Sequence, residues 1–151
     1  MPNWCEGTLK VRGTKEKLTN FILNGLHPVG FLGEEKSKLN LNEHGDIKTK
    51  ETCWIENTSR GFVDGLYIDL SEFEDNEICV VTLEARFAWG INADELLKTA
   101  IKYQVDMKIY AFERGMQFNQ DIEIVSGKIA KDNEIKFDDY EWECPSPNMG
   151  G

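Results

Sequence analysis

Residues 4–12 alternate strictly. Cys5, Gly7, Leu9 and Val11 fall on one side, and Glu6, Thr8, Lys10 and Arg12 on the other, the period of a half-buried strand. Gly13 breaks the pattern. Thr14 then stands as the N-cap of a helix whose apolar stripe is Leu18, Phe21, Ile22 and Gly25. Gly25 is placed to end that helix, and Pro28 prevents its continuation. Residues 26–60 are less regular; their pattern predicts a hairpin around Asn42–Gly45, with Lys38–Leu41 on one side and Ile47–Trp54 on the other.

Regular patterning resumes with a strand at Leu66–Leu70, an acidic turn at Ser71–Glu77 and a long strand at Ile78–Ala88. In the long strand Cys79, Val81, Leu83, Ala85 and Phe87 form the core face, and the two strands read as an antiparallel hairpin. Asn92 caps a second helix, with Glu95 three residues on as in a capping box, and Leu96, Leu97, Ala100, Ile101 and Val105 form its stripe. Strands at Asp106–Glu113 and Gln117–Val125 meet across Arg114-Gly115-Met116, and shorter ones follow at Lys128–Ala130 and Glu134–Phe137. The order predicts an α+β domain with a ferredoxin-like split βαβ core: an antiparallel sheet, two helices on one face and additional strands. The expected organisation is one domain over 1–144 with an insertion at about 26–60, then a flexible tail at 145–151.

Charge divides the chain unevenly. Residues 1–60 carry nine Lys/Arg against eight Asp/Glu, whereas residues 61–151 carry eight against nineteen, giving the net −10. Such a balance repels phosphate backbones and offers an acidic face to a basic partner. Direct nucleic-acid binding is therefore disfavoured, its one foothold being the lysines at 36–50. No apolar run reaches the length of a membrane helix, and the start lacks the pattern of a signal peptide, so a cytoplasmic location is expected.

Chemistry-bearing motifs are few. Cys5, Cys53, Cys79 and Cys144 are far apart, and with His27 and His44 they make no zinc-ligand spacing; free buried thiols are expected. EF-hand, Walker and Rossmann spacings are absent, and two histidines in irregular sequence make a poor catalytic base. No cofactor, no metal and no enzymatic activity are expected. Two constellations remain. Asp138, Asp139, Tyr140, Glu141, Trp142 and Glu143 interleave carboxylates with aromatics, the chemistry of docking onto a basic surface; they equally suit a solvated chain end. Glu84, Arg86, Trp89 and Glu113 suit a polar ligand site on the sheet, or cross-strand ion pairs.

Two segments carry a family resemblance. Met-Pro-Asn-Trp-Cys followed by Gly-Thr-Leu-Lys-Val-Arg-Gly, together with Phe87-Ala-Trp89-Gly90 and Tyr110-Ala-Phe-Glu113-Arg-Gly115-Met116-Gln-Phe118, resembles the YubB ferredoxin-like domain family of phage, plasmid and mobile-element proteins. Where that family often has Asn-Trp-Gly-Thr-Lys-Trp, this chain has Glu56-Asn57-Thr58-Ser59-Arg60-Gly61-Phe62. The resemblance implies a ferredoxin-like fold and a mobile-element origin, and no reaction. With the charge asymmetry it leads to the expectation of a non-enzymatic accessory protein that binds and modulates a basic host protein. Such a partner would be a nucleic-acid-targeting defence nuclease, making the chain an anti-CRISPR-like or other anti-defence protein. A small-ligand or nucleotide-binding module and a virion or assembly component are the alternatives.

Overall fold

The computed structural model describes residues 1–151. The elements in chain order are β1 (Trp4–Thr14), α1 (Lys15–Gly25), β2 (Leu26–Val29), β3 (Asp46–Ile55), β4 (Gly61–Asp69), β5 (Ile78–Ala88), α2 (Ala93–Tyr103), β6 (Asp106–Glu113), β7 (Phe118–Val125), β8 (Lys128–Lys136) and α3 (Tyr140–Glu143). All eight strands join one antiparallel sheet in the order β2-β3-β4-β5-β1-β6-β7-β8. The chain is α+β and mostly sheet, with three short helices.

The alternation in β1 sets the two faces. Cys5, Leu9 and Val11 are fully buried, and they share a 31-residue core cluster with Phe21 and Ile22 of α1 and Leu96 and Ala100 of α2. The helices meet through an edge-on contact of Phe21 and Tyr103, ring centroids 5.7 Å apart. On the opposite face, polar side chains pair across strands: Arg12 with Asp106 at 2.7 Å, Lys108 with Glu123 at 3.7 Å and Lys131 with Asp121 at 3.2 Å.

Caps and glycines act partly as their sequence positions predict. Thr14 accepts the Lys17 N–H, and Asn92 accepts those of Asp94 and Glu95. Gly25 does not end α1 through a left-handed conformation. It makes room for the Tyr103 ring, which lies 2.9 Å from where a Cβ would stand. Glu95 does not close a capping box either. Its carboxylate accepts the Ser59 N–H at 2.9 Å and the Ser59 hydroxyl at 2.5 Å. The α2 stripe is rotated from the predicted one: Thr99 and Tyr103 are buried while Ile101 is 54% exposed. Thr99 can be buried because its hydroxyl donates to Glu56 O at 2.6 Å.

Residues 26–60 form more regular structure than their sequence pattern predicts. β3 pairs with β2 on one side and β4 on the other, so Lys38–Leu41 is not its hairpin partner. Pro28 is tolerated because β2 is an edge strand. β4 and β5 pair only over Gly61–Val63 and Ala85–Phe87, then diverge toward the acidic turn. The carbonyls of Asp75 and Glu77 in that turn accept the N–H groups of Glu16 and Lys15, and so satisfy the start of α1. The two short C-terminal strands merge into the single β8, since Asp132 and Asn133 continue the ladder with β7.

Glu56 ties the β3–β4 turn to α2. Its carboxylate, 19% exposed, lies 2.5 Å from Lys102 Nζ and accepts the Tyr103 hydroxyl proton. Burial alone would raise its pKa, but the Lys102 and Tyr103 contacts outweigh burial and hold it below the ordinary 4.5. A depressed folded-state pKa stabilises the fold above the unfolded value, and that contribution is lost as pH falls through the folded value. Glu56→Gln is expected to lower unfolding free energy by about 1–3 kcal/mol at neutral pH, and to flatten the loss of stability below pH 4.5; urea titrations across acid pH check both.

Candidate functional site

Beyond β8 the chain folds back onto the sheet face away from α1 and α2. The Phe137 N–H donates to Gln117 O at 3.1 Å, which fixes the exit from the strand. Three residues after Phe137 the chain makes one helical turn, α3. Tyr140 and Cys144, one turn apart, point inward and form a separate small cluster with Phe112, flanked by Phe137 and Met149. Tyr140 is 3% exposed, and its ring meets Phe137 edge-on at 5.8 Å. Burial, with the neighbouring Cys144 adding to it, raises the Tyr140 pKa above that of a free tyrosine.

The outward side of the turn carries the charge. Asp138, Asp139, Glu141 and Glu143 are exposed, and none has a basic side chain within ion-pair distance. Glu143 accepts the Asp139 N–H at 3.1 Å, and the Asp139 carbonyl accepts the N–H groups of Trp142 and Glu143. Trp142 projects from the middle of this group, 86% exposed. The six residues of the acidic–aromatic segment therefore come together as one surface, with Tyr140 as its buried foot.

The segment 145–151, expected as a tail, makes backbone hydrogen bonds in this structure. The Met149 N–H donates to Ser146 O, and the Gly151 N–H donates to Trp4 O at 2.9 Å. Gly150 passes so close to the sheet that a Cβ there would lie 2.2 Å from Phe112 O and 2.7 Å from Trp4 O, a slot that only glycine fits.

Glu84, Arg86, Trp89 and Glu113 do not converge. Glu84 and Arg86 lie on the face opposite the helices, where the Thr8 hydroxyl donates to Glu84 at 3.2 Å. Arg86 stacks 4.6 Å above the Trp4 ring, with its Nε 2.9 Å from Asp64 at ion-pair distance but without hydrogen-bond alignment. Glu113 belongs to the other face. It is fully buried and accepts the N–H groups of Gly115 at 2.6 Å and Met116 at 2.7 Å, an internal clamp for the β6–β7 turn. Its parity in β6, shared with Met107, Ile109 and Ala111, separates it from Glu84 and Arg86.

Trp89 is 60% exposed at the end of β5 with φ +67°, a conformation unusual for a bulky residue. Gln120, which no sequence argument singled out, fixes this turn. Its buried amide accepts the Ile91 N–H at 2.7 Å and donates to Ile91 O at 3.0 Å, while the Trp89 N–H donates to Asn3 O. The readable signal was an amide at an inward position of an otherwise apolar strand face, with Phe118, Ile122 and Ile124 beside it.

The four cysteines are buried and unpaired. Burial pushes the Cys5 thiol up to about 12 and the Cys53 thiol up to about 11, so neither is a thiolate near neutrality. No helix is long and apolar enough to cross a membrane.

No protein-family model matches the chain, and no curated protein or solved structure shows significant similarity to it.

Because Tyr140 belongs to a cluster separate from the main core, Tyr140→Ala is expected to release residues 137–151 without unfolding the sheet. Hydrogen exchange should show faster exchange at Cys144 and Gly151 and unchanged protection in β1 and β5. Gln120→Ala is expected to strand both Ile91 backbone groups, at a cost of about 1–3 kcal/mol, and to speed exchange of the Ile91 amide.

Proposed function

We propose that this chain is a non-enzymatic binding protein that docks a basic partner protein through its C-terminal acidic turn. The observation that carries this reading is Trp142, 86% exposed among four carboxylates without basic partners, on a turn whose foot, Tyr140, is buried. A projecting tryptophan on a turn whose backbone is held by the buried Tyr140 suits the anchor of an interface, since its large ring has apolar area to bury. The surrounding carboxylates steer a basic partner and pair with its Arg/Lys at the rim. Closely spaced carboxylates on a fixed turn also resemble a phosphate backbone in charge, so the surface fits the groove in which a nucleic-acid-handling protein holds DNA or RNA. A defence nuclease of the host is the partner class this chemistry favours, and occupation of its groove would inhibit it.

The mobile-element setting rests on the sequence resemblance. The inner strand order β4-β5-β1-β6, with α2 linking β5 to β6, is the order a ferredoxin-like core would have; α1 leads instead to the edge strand β2, and β2-β3 and β7-β8 extend the two edges. Within this reading the resemblance to the YubB family describes the inner core, and the acidic turn is this chain's own addition.

Carbodiimide cross-linking of the full chain in a host extract tests the proposal. One partner should be joined through its lysines to Glu141 or Glu143, and the yield should fall with added salt. The D138N/D139N/E141Q/E143Q variant should lose the partner, and W142A should bind at least tenfold more weakly. Capture of the same partner at undiminished affinity by the neutralised variant would end this reading.

A further inference from the structure

One pair of neighbours in the sheet is only partly zipped. β4 and β5 are in register over three positions, Gly61–Val63 against Ala85–Phe87, whereas β1 follows β5 along its whole length. The separation is built into β4. Gly65 takes a φ of +68°, and the register of β4 against β3 shifts beside it, between Thr49 and Thr52. From Asp64 on, β4 keeps to β3, and the β5 edge at Ile78–Glu84 faces no strand. None of the turn and loop hydrogen bonds ends on the main chain of Ile78–Glu84 either. Every second residue of that edge therefore turns its N–H and C=O away from β1 and toward the opening, a template for one more strand.

The chemistry around the opening selects its occupant. Ile78 and Val80 of β5 are 64% and 55% exposed, so apolar area lies open beside the free edge. Residues 64–84 hold seven Asp/Glu and no Lys, Arg or Pro. Asp69, Glu77 and Glu84 have no basic side chain within ion-pair distance. The bases packed alongside are engaged or lie one strand further out. Lys15 donates to Phe73 O at 2.8 Å and Arg12 pairs with Asp106 at 2.7 Å, while Lys10 and Lys48 stand opposite Thr82 and Tyr67. The outer edges of the sheet are guarded where this one is not: β8 carries Lys128, Lys131 and Lys136, and β2 carries Pro28. We propose that an extended basic segment of a partner protein adds to β5 along Ile78–Glu84. It pairs through main-chain hydrogen bonds, lays apolar side chains beside Ile78 and Val80, and sets Lys/Arg against Asp69, Glu77 and Glu84. The same carboxylates repel a nucleic acid strand.

Hydrogen exchange of the full chain, with and without a short acetylated peptide of alternating Lys and Val, tests the proposal. At submillimolar peptide, exchange should slow at alternate amides of Ile78–Glu84 and stay unchanged along β8. The same peptide N-methylated at every residue keeps its charge but cannot donate main-chain hydrogen bonds, and should bind about tenfold more weakly or worse. D69N/E77Q/E84Q should weaken the unmodified peptide by a similar factor. These three side chains are exposed, so the variant should keep the native circular dichroism. D138N/D139N/E141Q/E143Q should bind the peptide unchanged. Equal affinity for the methylated peptide, protection on β8 in place of β5, no slowing at Ile78–Glu84, or loss of the peptide by the C-terminal variant would each overturn the proposal. The two surfaces share no residue, so each stands or falls by its own variant.

Discussion

The architecture depends on β1 being paired on both flanks. It holds β5 over eleven positions and β6 over eight, so no strand of the inner sheet can be placed without it. A strand in that position must be apolar on the side the helices cover and polar on the other. β1 satisfies both demands with a strict alternation. A one-residue slip would bury Glu6, Lys10 and Arg12 against α1 and α2, and the cost of burying unpaired charge excludes that register. Gly7 adds a steric condition, because a Cβ there would lie 2.4 Å from Tyr110 O and force β1 and β6 apart.

With the two faces fixed, the chain uses them differently. One is covered by α1 and α2 over a continuous core. The other is tiled with ion pairs, and only one end of it is covered, where Tyr140, Cys144 and Met149 close over Phe112. The coupling between the two hydrophobic clusters is therefore weak, and the acidic turn can be altered or released while the sheet persists. Carboxylates cluster on that covering segment and on the turn before β5, where two carbonyls also serve the start of α1.

Much of the fold was legible in the residues. Strict alternation located β1 and β5, helical spacing located α1, and Thr14 and Asn92 marked the helix starts, because each is a local signal set by backbone geometry. The misreadings share a cause. Glu95 was read as closing its own cap and binds Ser59; Ile101 was read as core and is exposed; Gly25 does end α1, but by making room for Tyr103 and not by a left-handed turn. In each the deciding partner is distant in the chain. The pairing of β3 with β2 and β4 was hidden for the same reason, since nothing in residues 38–55 states which strand lies alongside.

The candidate surface divides in the same way. Its composition, carboxylates interleaved with Tyr140 and Trp142, belongs to the sequence alone, as do the charge asymmetry and the lack of a catalytic or metal-ligand spacing. Tertiary structure decided which aromatic became the buried foot and which the exposed tip, because that depends on Phe112 offering a seat and on Gly150 passing through a slot too narrow for a side chain. It also decided that Glu113 is an internal clamp instead of a neighbour of Glu84 and Arg86, and that Gln120 holds the Trp89 turn. The sequence specifies which side chains are available and with what local period. Burial and hydrogen-bond satisfaction, which depend on groups brought together from far along the chain, decide what each one does.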